Sequence, residues 1–270
     1  MGWTARGLRG IVCAVPVLSP DQVDQFVGDG FVRLEEAFPR ALADECRDLL
    51  WRQVEAETGA REDAPQTWTR PVHRIAGRAD APFRRAATTD RLHGAFDQLA
   101  GPGAWVPRAG LGTFPIRFPH PDDPGDASWH VEGSFAGPGG EVRLNVASRG
   151  RALLLLFLFS EVTEADAPTK VRPGSHRVAA RLLAPYGDEG AEFFAFAREA
   201  VPATDHLPTA YATGAPGDVV IVHPFLVHSA QLHHGTRPRF MAQPPLLPSG
   251  LPGLDAAVPA PVVRAVRDAV

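Results

Sequence analysis

The sequence predicts a mainly β protein, a sandwich or barrel of short strands that carries helices on its N-terminal side. Two observations indicate this class. From about residue 110, short apolar runs alternate with Gly- and Pro-rich turns, as in antiparallel β proteins. Before residue 100, apolar residues recur at helical spacing between capping residues. We therefore expect one domain over 1–270, with a helical part at about 19–100, a β core at about 105–248 and a tail at 249–270.

The helical part begins with a clear capping signal. Ser19 is an N-cap residue, Pro20 suits the first helical position and Gln22 completes a capping box, so a helix should run to Gly30. Residues 31–38 read as a strand. Further helices are expected at about 40–57 and 88–99, with irregular chain at 58–80 and a Gly/Pro break at 101–103.

The β part contains one unusually apolar strand. RALLLLFLF (151–159) falls well short of the ~20 residues of a membrane helix, and we interpret it as a strand buried on both faces. SWHVEGSF (128–135) and GDVVIVHPFLVH (217–228) are further strands, and PGS (173–175) is a turn. Short helices are expected within 189–200 and 259–270.

Composition excludes several functional classes. The net charge is −4 and no Lys/Arg cluster occurs, so we expect no nucleic-acid partner, and no segment predicts a membrane span. Cys13 and Cys46 make no disulfide framework, which favours a reducing, cytoplasmic location. The N-terminal apolar run is short, interrupted by proline and without a cleavage site, so it does not predict a signal peptide.

His130 and Glu132 are the first candidates for chemistry. Residues i and i+2 of a strand share a face, so these two side chains could chelate one ion. An isolated H-x-E on a strand edge is more often solvated surface. Two later residues favour a metal site instead: His228 and, eleven positions after it, Arg239. Two histidines and one carboxylate form the facial triad of non-haem Fe(II) oxygenases, and a guanidinium can hold a co-substrate carboxylate through paired hydrogen bonds.

With these residues the chain resembles the phytanoyl-CoA dioxygenase family of Fe(II)/2-oxoglutarate-dependent oxygenases. The resemblance is carried in order by WHVEGSF (129–135), DAPTKVRPGSHR (166–177), GDVVIVHPFLVH (217–228) and RPRF (237–240). It implies a double-stranded β-helix (a jelly-roll, cupin-like core) with supporting N-terminal helices. It also implies His130, Glu132 and His228 as ligands of Fe(II), and Arg239 as the residue that binds the C5 carboxylate of 2-oxoglutarate, with O₂ as the oxidant.

Two positions depart from the family pattern. The carboxylate is usually Asp, whereas Glu132 is one methylene longer; because a carboxylate is retained, halogenation is disfavoured. The family often has a hydroxyl residue two positions after the second histidine, where this chain has Ala230, with Ser229 one position early. Thr169 is a candidate for the missing hydroxyl, although it could equally be an ordinary strand residue.

The remaining histidines have no partner pattern. His223 is five positions before His228 and would face the other way in an unbroken strand. We expect His176 to make structural hydrogen bonds, and His233 and His234 to lie at the surface.

The expected function is hydroxylation of an unactivated C–H bond in a small molecule or secondary metabolite, with release of succinate and CO₂. Arg117 and Ser134 are candidate substrate contacts, and Arg70 and Arg74 could line the entrance. Two alternatives stay open: an inactive jelly-roll module that binds a metal or small acid, and a cupin-type metal-dependent isomerase or lyase. Arg239 argues against both, because neither needs a clamp for a co-substrate.

Overall fold

Seven α-helices and thirteen short strands occur in the computed structural model, which describes residues 16–148 and 150–270. Cys13 and the part of the N-terminal apolar run before residue 16 lie outside the described residues. The helices are α1 Pro20–Asp29, α2 Arg40–Thr58, α3 Ala81–Ala87, α4 Asp90–Ala100, α5 Ser175–Leu183, α6 Phe193–Ala203 and α7 Pro261–Arg267. The strands are β1 Phe31–Leu34, β2 Val72–Ile75, β3 Phe114–Arg117, β4 Phe135–Ala136, β5 Val142–Leu144, β6 Leu153–Leu158, β7 Lys170–Val171, β8 Ala191–Glu192, β9 Ala210–Tyr211, β10 Val219–Val222, β11 His228–Ser229, β12 Met241–Ala242 and β13 Pro245–Leu246.

The main sheet is antiparallel and is built around β6. Its order is β1-β10-β6-β12, with β13 also paired to β6. Leu153, Leu155 and Phe157 pack in the large core shared with the N-terminal helices, whereas Leu154 and Leu156 face the other way. The prediction that this apolar run is a strand buried on both faces is therefore confirmed.

A second layer covers the other face of the main sheet. It contains a sheet of order β11-β7-β9, and Val171 of β7 packs with Leu154, Leu156 and Val220 of the main sheet. The sheet β4-β5-β8 and the antiparallel pair β2-β3 complete the β structure. Two isolated bridges extend these sheets: His130 pairs with His228, and Arg117 pairs with Arg239. These two bridges position the residues of the candidate site.

The first helix forms as the sequence predicts. The Ser19 hydroxyl accepts from the Gln22 N–H at 3.2 Å, and the Gln22 side chain accepts from the Ser19 N–H at 3.0 Å. Gly30 ends the helix at φ 86°, in the left-handed region that favours glycine. A Cβ at Gly30 would lie 2.5 Å from Nδ1 of His176, so close packing also requires glycine here.

Two of the predicted strands are interrupted. In 217–228 the chain leaves the main sheet after Val222, turns through a hydrogen bond from the Leu226 N–H to the His223 carbonyl, and enters the second sheet at His228. Pro224 lies inside this turn and has no N–H to give to a sheet. In 128–135 only the bridge at His130 and the start of β4 at Phe135 have strand character.

Other boundaries also differ from the sequence prediction. The strand expected at 31–38 ends at Leu34, and the chain 58–80, expected to be irregular, contains β2. PGSHR opens α5 instead of making only a turn: Gly174 at φ 80° precedes a helix that begins at Ser175. The short helices expected near 189–200 and 259–270 are α6 and α7. Among the described residues, no helix is long and apolar enough to cross a membrane.

Candidate metal centre

The two candidate histidines face each other across a short antiparallel pair. The N–H of each residue donates to the carbonyl of the other at 2.9 Å, so their side chains lie on the same face of the pair. Their ring centroids are 4.4 Å apart. Glu132 follows two residues after His130 and is fixed by its own N–H, which donates to the Pro224 carbonyl at 3.1 Å. One ligand atom from each of His130, Glu132 and His228 lies within 4.8 Å of the others.

Both imidazoles are oriented by the backbone. Nδ1 of His130 lies 2.9 Å from the Ser128 carbonyl oxygen, and Nδ1 of His228 lies 2.9 Å from the Leu226 carbonyl oxygen. A carbonyl oxygen can only accept, so the ring proton belongs on Nδ1 and the lone pair is left on Nε2. Nε2 of His228 is 3.5 Å from Oε1 of Glu132. Neutral imidazoles held through Nδ1 are the form in which histidine binds metals.

The electrostatic setting suits a cation. Burial and then the neighbouring His228 lower the pKa of His130, which keeps its ring neutral. Burial alone would raise the pKa of Glu132, but His228, Arg151 and His130 outweigh it and the net shift is downward, so the carboxylate form is favoured. A donor set of two imidazoles and one carboxylate fits a ferrous ion with open coordination positions.

These three side chains line a cavity between the two sheets. Its volume is about 190 Å³. The lining residues are Arg74, Pro115, Arg117, Asp126, His130, Glu132, Leu154, Leu156, Thr169, His228, Ala230, Arg239, Met241 and Gln243.

Arg239 is the largest fully buried side chain among the described residues. Its guanidinium donates to the carbonyl oxygens of Ala167 and, at 3.1 Å, of Pro115, while its Nε has no partner. No carboxylate of residues 16–148 and 150–270 forms an ion pair with it. Burial and then Arg117 lower its pKa to about 9, which still leaves it protonated at neutral pH. A buried guanidinium with a free donor is suited to bind an anion.

Arg117 lies next to Arg239 but has a carboxylate partner. One of its terminal nitrogens is 2.8 Å from Oδ1 and 2.7 Å from Oδ2 of Asp126, and Arg74 also contacts Asp126. Asp126 therefore forms ion pairs with two arginines of the cavity, whereas Arg239 has no ion-pair partner among the described residues, although the charge of Asp126 partly offsets the lowering of its pKa. Asp126 was missed by the sequence analysis because it lies in an irregular, acidic loop with no motif.

The other predicted site residues divide into two groups. Thr169 is buried and lines the cavity, as does Ala230, whereas the Ser229 hydroxyl donates to the Ala230 carbonyl at 2.7 Å. Ser134 is not among the lining residues: its hydroxyl accepts from the Gly150 N–H at 2.8 Å. That Ser134 contacts the substrate stays a prediction, and its place outside the cavity lining does not support it.

The remaining buried histidines have structural partners. Nε2 of His176 lies 3.1 Å from the Val27 carbonyl, and Nε2 of His223 lies 3.1 Å from the Val262 carbonyl, both away from the cavity. His233 was expected at the surface, and this is wrong: it is buried, and its Nδ1 accepts from the Gly235 N–H at 3.1 Å. The loop folds back onto the β core, which a polar composition does not reveal.

The family model "Phytanoyl-CoA dioxygenase (PhyH)" matches residues 9–241. No curated protein matches the sequence. The structure is similar to SnoK, a non-haem alpha-ketoglutarate-dependent carbocyclase from nogalamycin biosynthesis, with 18% identity, 90% of this chain and 92% of SnoK covered, and a TM-score of 0.56.

Two further structures share the fold. HygX from Streptomyces hygroscopicus, with nickel and 2-oxoglutarate bound, has 16% identity, with 86% of this chain and 88% of HygX covered at a TM-score of 0.55. The epimerase SnoN, in complex with Fe³⁺, alpha-ketoglutarate and nogalamycin RO, has 19% identity, with 85% of this chain and 82% of SnoN covered at a TM-score of 0.53. The expected jelly-roll fold with supporting helices is thereby confirmed; at these identities the likeness concerns the fold alone.

Proposed function

The chain belongs to the phytanoyl-CoA dioxygenase family, and we propose that it is a non-haem Fe(II)- and 2-oxoglutarate-dependent dioxygenase of a small molecule. One observation carries the proposal. His130, Glu132 and His228 converge on the same cavity that contains the buried guanidinium of Arg239, which has no ion-pair partner among the described residues. A metal-binding group and an anion-binding group in one cavity match a co-substrate that has a chelating end and a free carboxylate.

We assign His130, Glu132 and His228 as the iron ligands. Both Nε2 lone pairs are already free, because the ring protons are engaged by backbone carbonyls. Three protein ligands on one face of an octahedral ion leave three positions for other ligands. With 2-oxoglutarate and O₂, a bound ferrous ion supplies an oxidant that can remove hydrogen from an unactivated C–H bond, with release of succinate and CO₂.

We assign Arg239 to the C5 carboxylate of 2-oxoglutarate. The carbonyls of Ala167 and Pro115 accept two of its N–H groups and hold the guanidinium in one orientation. Nε–H and the remaining N–H groups are left to bind a carboxylate through a fork-shaped pair of hydrogen bonds. Thr169 lines the same cavity and is the proposed hydroxyl partner, since Ala230 has none and the Ser229 hydroxyl is occupied by the backbone.

The substrate is proposed to be a small molecule with an acidic group. With a co-substrate in it, a cavity of about 190 Å³ admits only a small reacting group, so the rest of the substrate would lie at the mouth. Arg117 is the proposed contact for the acidic group. Arg74 has a half-exposed side chain and would assist, with Asp126 releasing both arginines when the substrate binds.

Hydroxylation is the proposed outcome. An epimerase must return a hydrogen atom to its substrate from the opposite face, and the described lining contains no tyrosine or cysteine that could give one. Its only carboxylates are Glu132, assigned to the metal, and Asp126, held by two arginines. No free general base is therefore available in the described lining for an isomerase or lyase reaction.

Succinate formation without substrate tests the activity. We expect the wild-type protein to convert 2-oxoglutarate slowly to succinate in air when Fe(II) is present, and to develop a weak visible charge-transfer band with both ligands under anaerobic conditions. His228→Ala should abolish both signals. His234→Ala is the matched control, because His234 is exposed in the following loop and should leave both signals unchanged.

The same experiment separates the alternatives. An inactive binding module would form the anaerobic band without succinate in air. A cupin-type isomerase or lyase would bind Fe(II) without any response to 2-oxoglutarate. A wild-type protein that gives neither signal would overturn the proposed function.

A further inference from the structure

The two oxygens of Glu132 face two different side chains. Oε1 lies 3.5 Å from Nε2 of His228, and Oε2 lies 3.6 Å from Nε of Arg151. That Nε is buried and has no hydrogen-bond partner among the described residues. The Glu132 and Arg151 side chains are only 22% and 28% exposed, so this is not an ordinary solvated surface pair.

Arg151 reaches Glu132 from outside the cavity. It is not among the residues that line the cavity, whereas Glu132 is. A substrate or co-substrate in the cavity would therefore not meet Arg151. Whatever Arg151 does for the site, it does through Glu132.

A tight turn brings Arg151 to this position. The Arg151 N–H donates to the Ser148 carbonyl at 3.2 Å, and the Gly150 N–H donates to the Ser134 hydroxyl at 2.8 Å. A Cβ at Gly150 would lie 1.7 Å from the Ser134 carbonyl oxygen. Only glycine at position 150 lets the turn lie this close to the segment that carries Glu132. This accounts for Ser134 as a structural residue that anchors the turn.

We propose that Arg151 is a positioning residue that holds Oε2 of Glu132, so that Oε1 alone is offered to the metal. This rests on the proposed function, because it assumes that the site binds a divalent ion. Glutamate has one more rotatable bond than aspartate, and its carboxylate can bind a cation with one oxygen or with both. Two bound oxygens would take one of the positions that the facial arrangement leaves open. A guanidinium on Oε2 opposes that second mode, and a longer side chain than the usual Asp is needed to reach both the ion and Arg151.

Co(II) is the probe for the test, with the full chain and without turnover. Residues that orient a metal ligand typically change affinity by about 10- to 100-fold. We expect Arg151→Met to weaken Co(II) binding by about 10- to 100-fold and to change the visible Co(II) spectrum, which reports coordination number. Arg143→Met is the matched control: Arg143 lies on β5 and pairs with Glu141 and Glu189, which do not line the cavity, and its loss should leave Co(II) binding unchanged.

A double-mutant cycle identifies the route of the effect. In the Glu132→Asp background the shorter carboxylate does not reach Arg151, so Arg151→Met should cause no further loss of Co(II) affinity. The thermal unfolding of the metal-free variants serves to check that each one folds.

Two results would overturn the proposal. In the first, Arg151→Met binds Co(II) with wild-type affinity and spectrum. In the second, it causes the same loss in the Glu132→Asp background, which means that it does not act through the longer carboxylate. Failure of the proposed function looks different: wild-type protein and His228→Ala would then bind Co(II) equally.

Discussion

Replacing Arg239 by lysine keeps the charge and removes the fork of donors. Arginine has five N–H donors and lysine has three. Two donors of Arg239 are used by the carbonyls of Ala167 and Pro115, which leaves three for a ligand. A lysine that donated to the same two carbonyls would have one N–H donor left for the ligand. The variant therefore loses one of two charge-assisted hydrogen bonds to the co-substrate, about 1.5–3 kcal/mol, or roughly 10- to 150-fold in the Kd for 2-oxoglutarate.

Anaerobic titration of the Fe(II) protein with 2-oxoglutarate measures this Kd directly. Arg117→Lys is the informative comparison, because Arg117 is the adjacent buried arginine but is already paired with Asp126. We expect Arg117→Lys to leave the Kd for 2-oxoglutarate close to the wild-type value. An unchanged Kd in Arg239→Lys, with a raised Kd in Arg117→Lys, would refute the reasoning and move the carboxylate site to Arg117.

Three further predictions concern stability. Burial lowers the pKa of His176 to about 4, so below pH 6.5 the unfolded chain binds a proton that the folded chain does not. Between pH 7.5 and 5 this should cost about 2 kcal/mol of stability. The pH-dependent loss in the denaturation curves of His176→Gln should be smaller than that of the wild type by this amount, with the remainder due to other histidines, His223 and His233 among them, whose pKa values burial also lowers. Gly150→Ala should lower both the melting temperature and Co(II) affinity, because its Cβ would lie 1.7 Å from a carbonyl oxygen; unaltered values would show that the turn can move. Asp126→Ala should lower the free energy of unfolding by about 3–5 kcal/mol because it leaves the buried Arg117 unpaired, whereas Asp122→Ala, an exposed residue of the same loop, should not.

Local signals made much of the fold predictable. The capping box at Ser19 and Gln22 and the glycine at position 30 are short-range features, and they gave the first helix its correct ends. The apolar run of β6 needs two covering layers wherever it lies, so its burial followed from composition. The break after Val222 was not recognised because the apolar pattern resumes at Phe225 and runs to Val227, although the chain changes sheets there; Pro224 was the local signal of the break.

The site was predictable to the extent that it rests on ordered motifs. Strand periodicity predicted that His130 and Glu132 share a face, although in the structure only His130 forms a bridge and Glu132 is held by its N–H to the Pro224 carbonyl. Their meeting with His228 depends on a cross-strand pair between segments nearly a hundred residues apart. Arg151 and Asp126 carry no motif and lie near the site because of a tight turn and a loop. Single-sequence patterns specify which residues can bind a metal, whereas tertiary packing determines which charged side chains contact those residues.

The charge on Arg239 bears on whether the cavity still binds a co-substrate. Burying a guanidinium without a counter-charge is costly, and such a group is retained where a ligand or partner neutralises it. Asp126 pairs with Arg117 and Arg74, and Glu132 faces the histidines and Arg151, so no carboxylate of the described cavity forms a direct ion pair with Arg239. A jelly-roll that had lost its co-substrate would gain stability from an apolar residue at this position. A fully buried arginine beside the triad of His130, Glu132 and His228 supports the proposal that a dicarboxylate binds here, with one carboxylate at the metal and the other at Arg239.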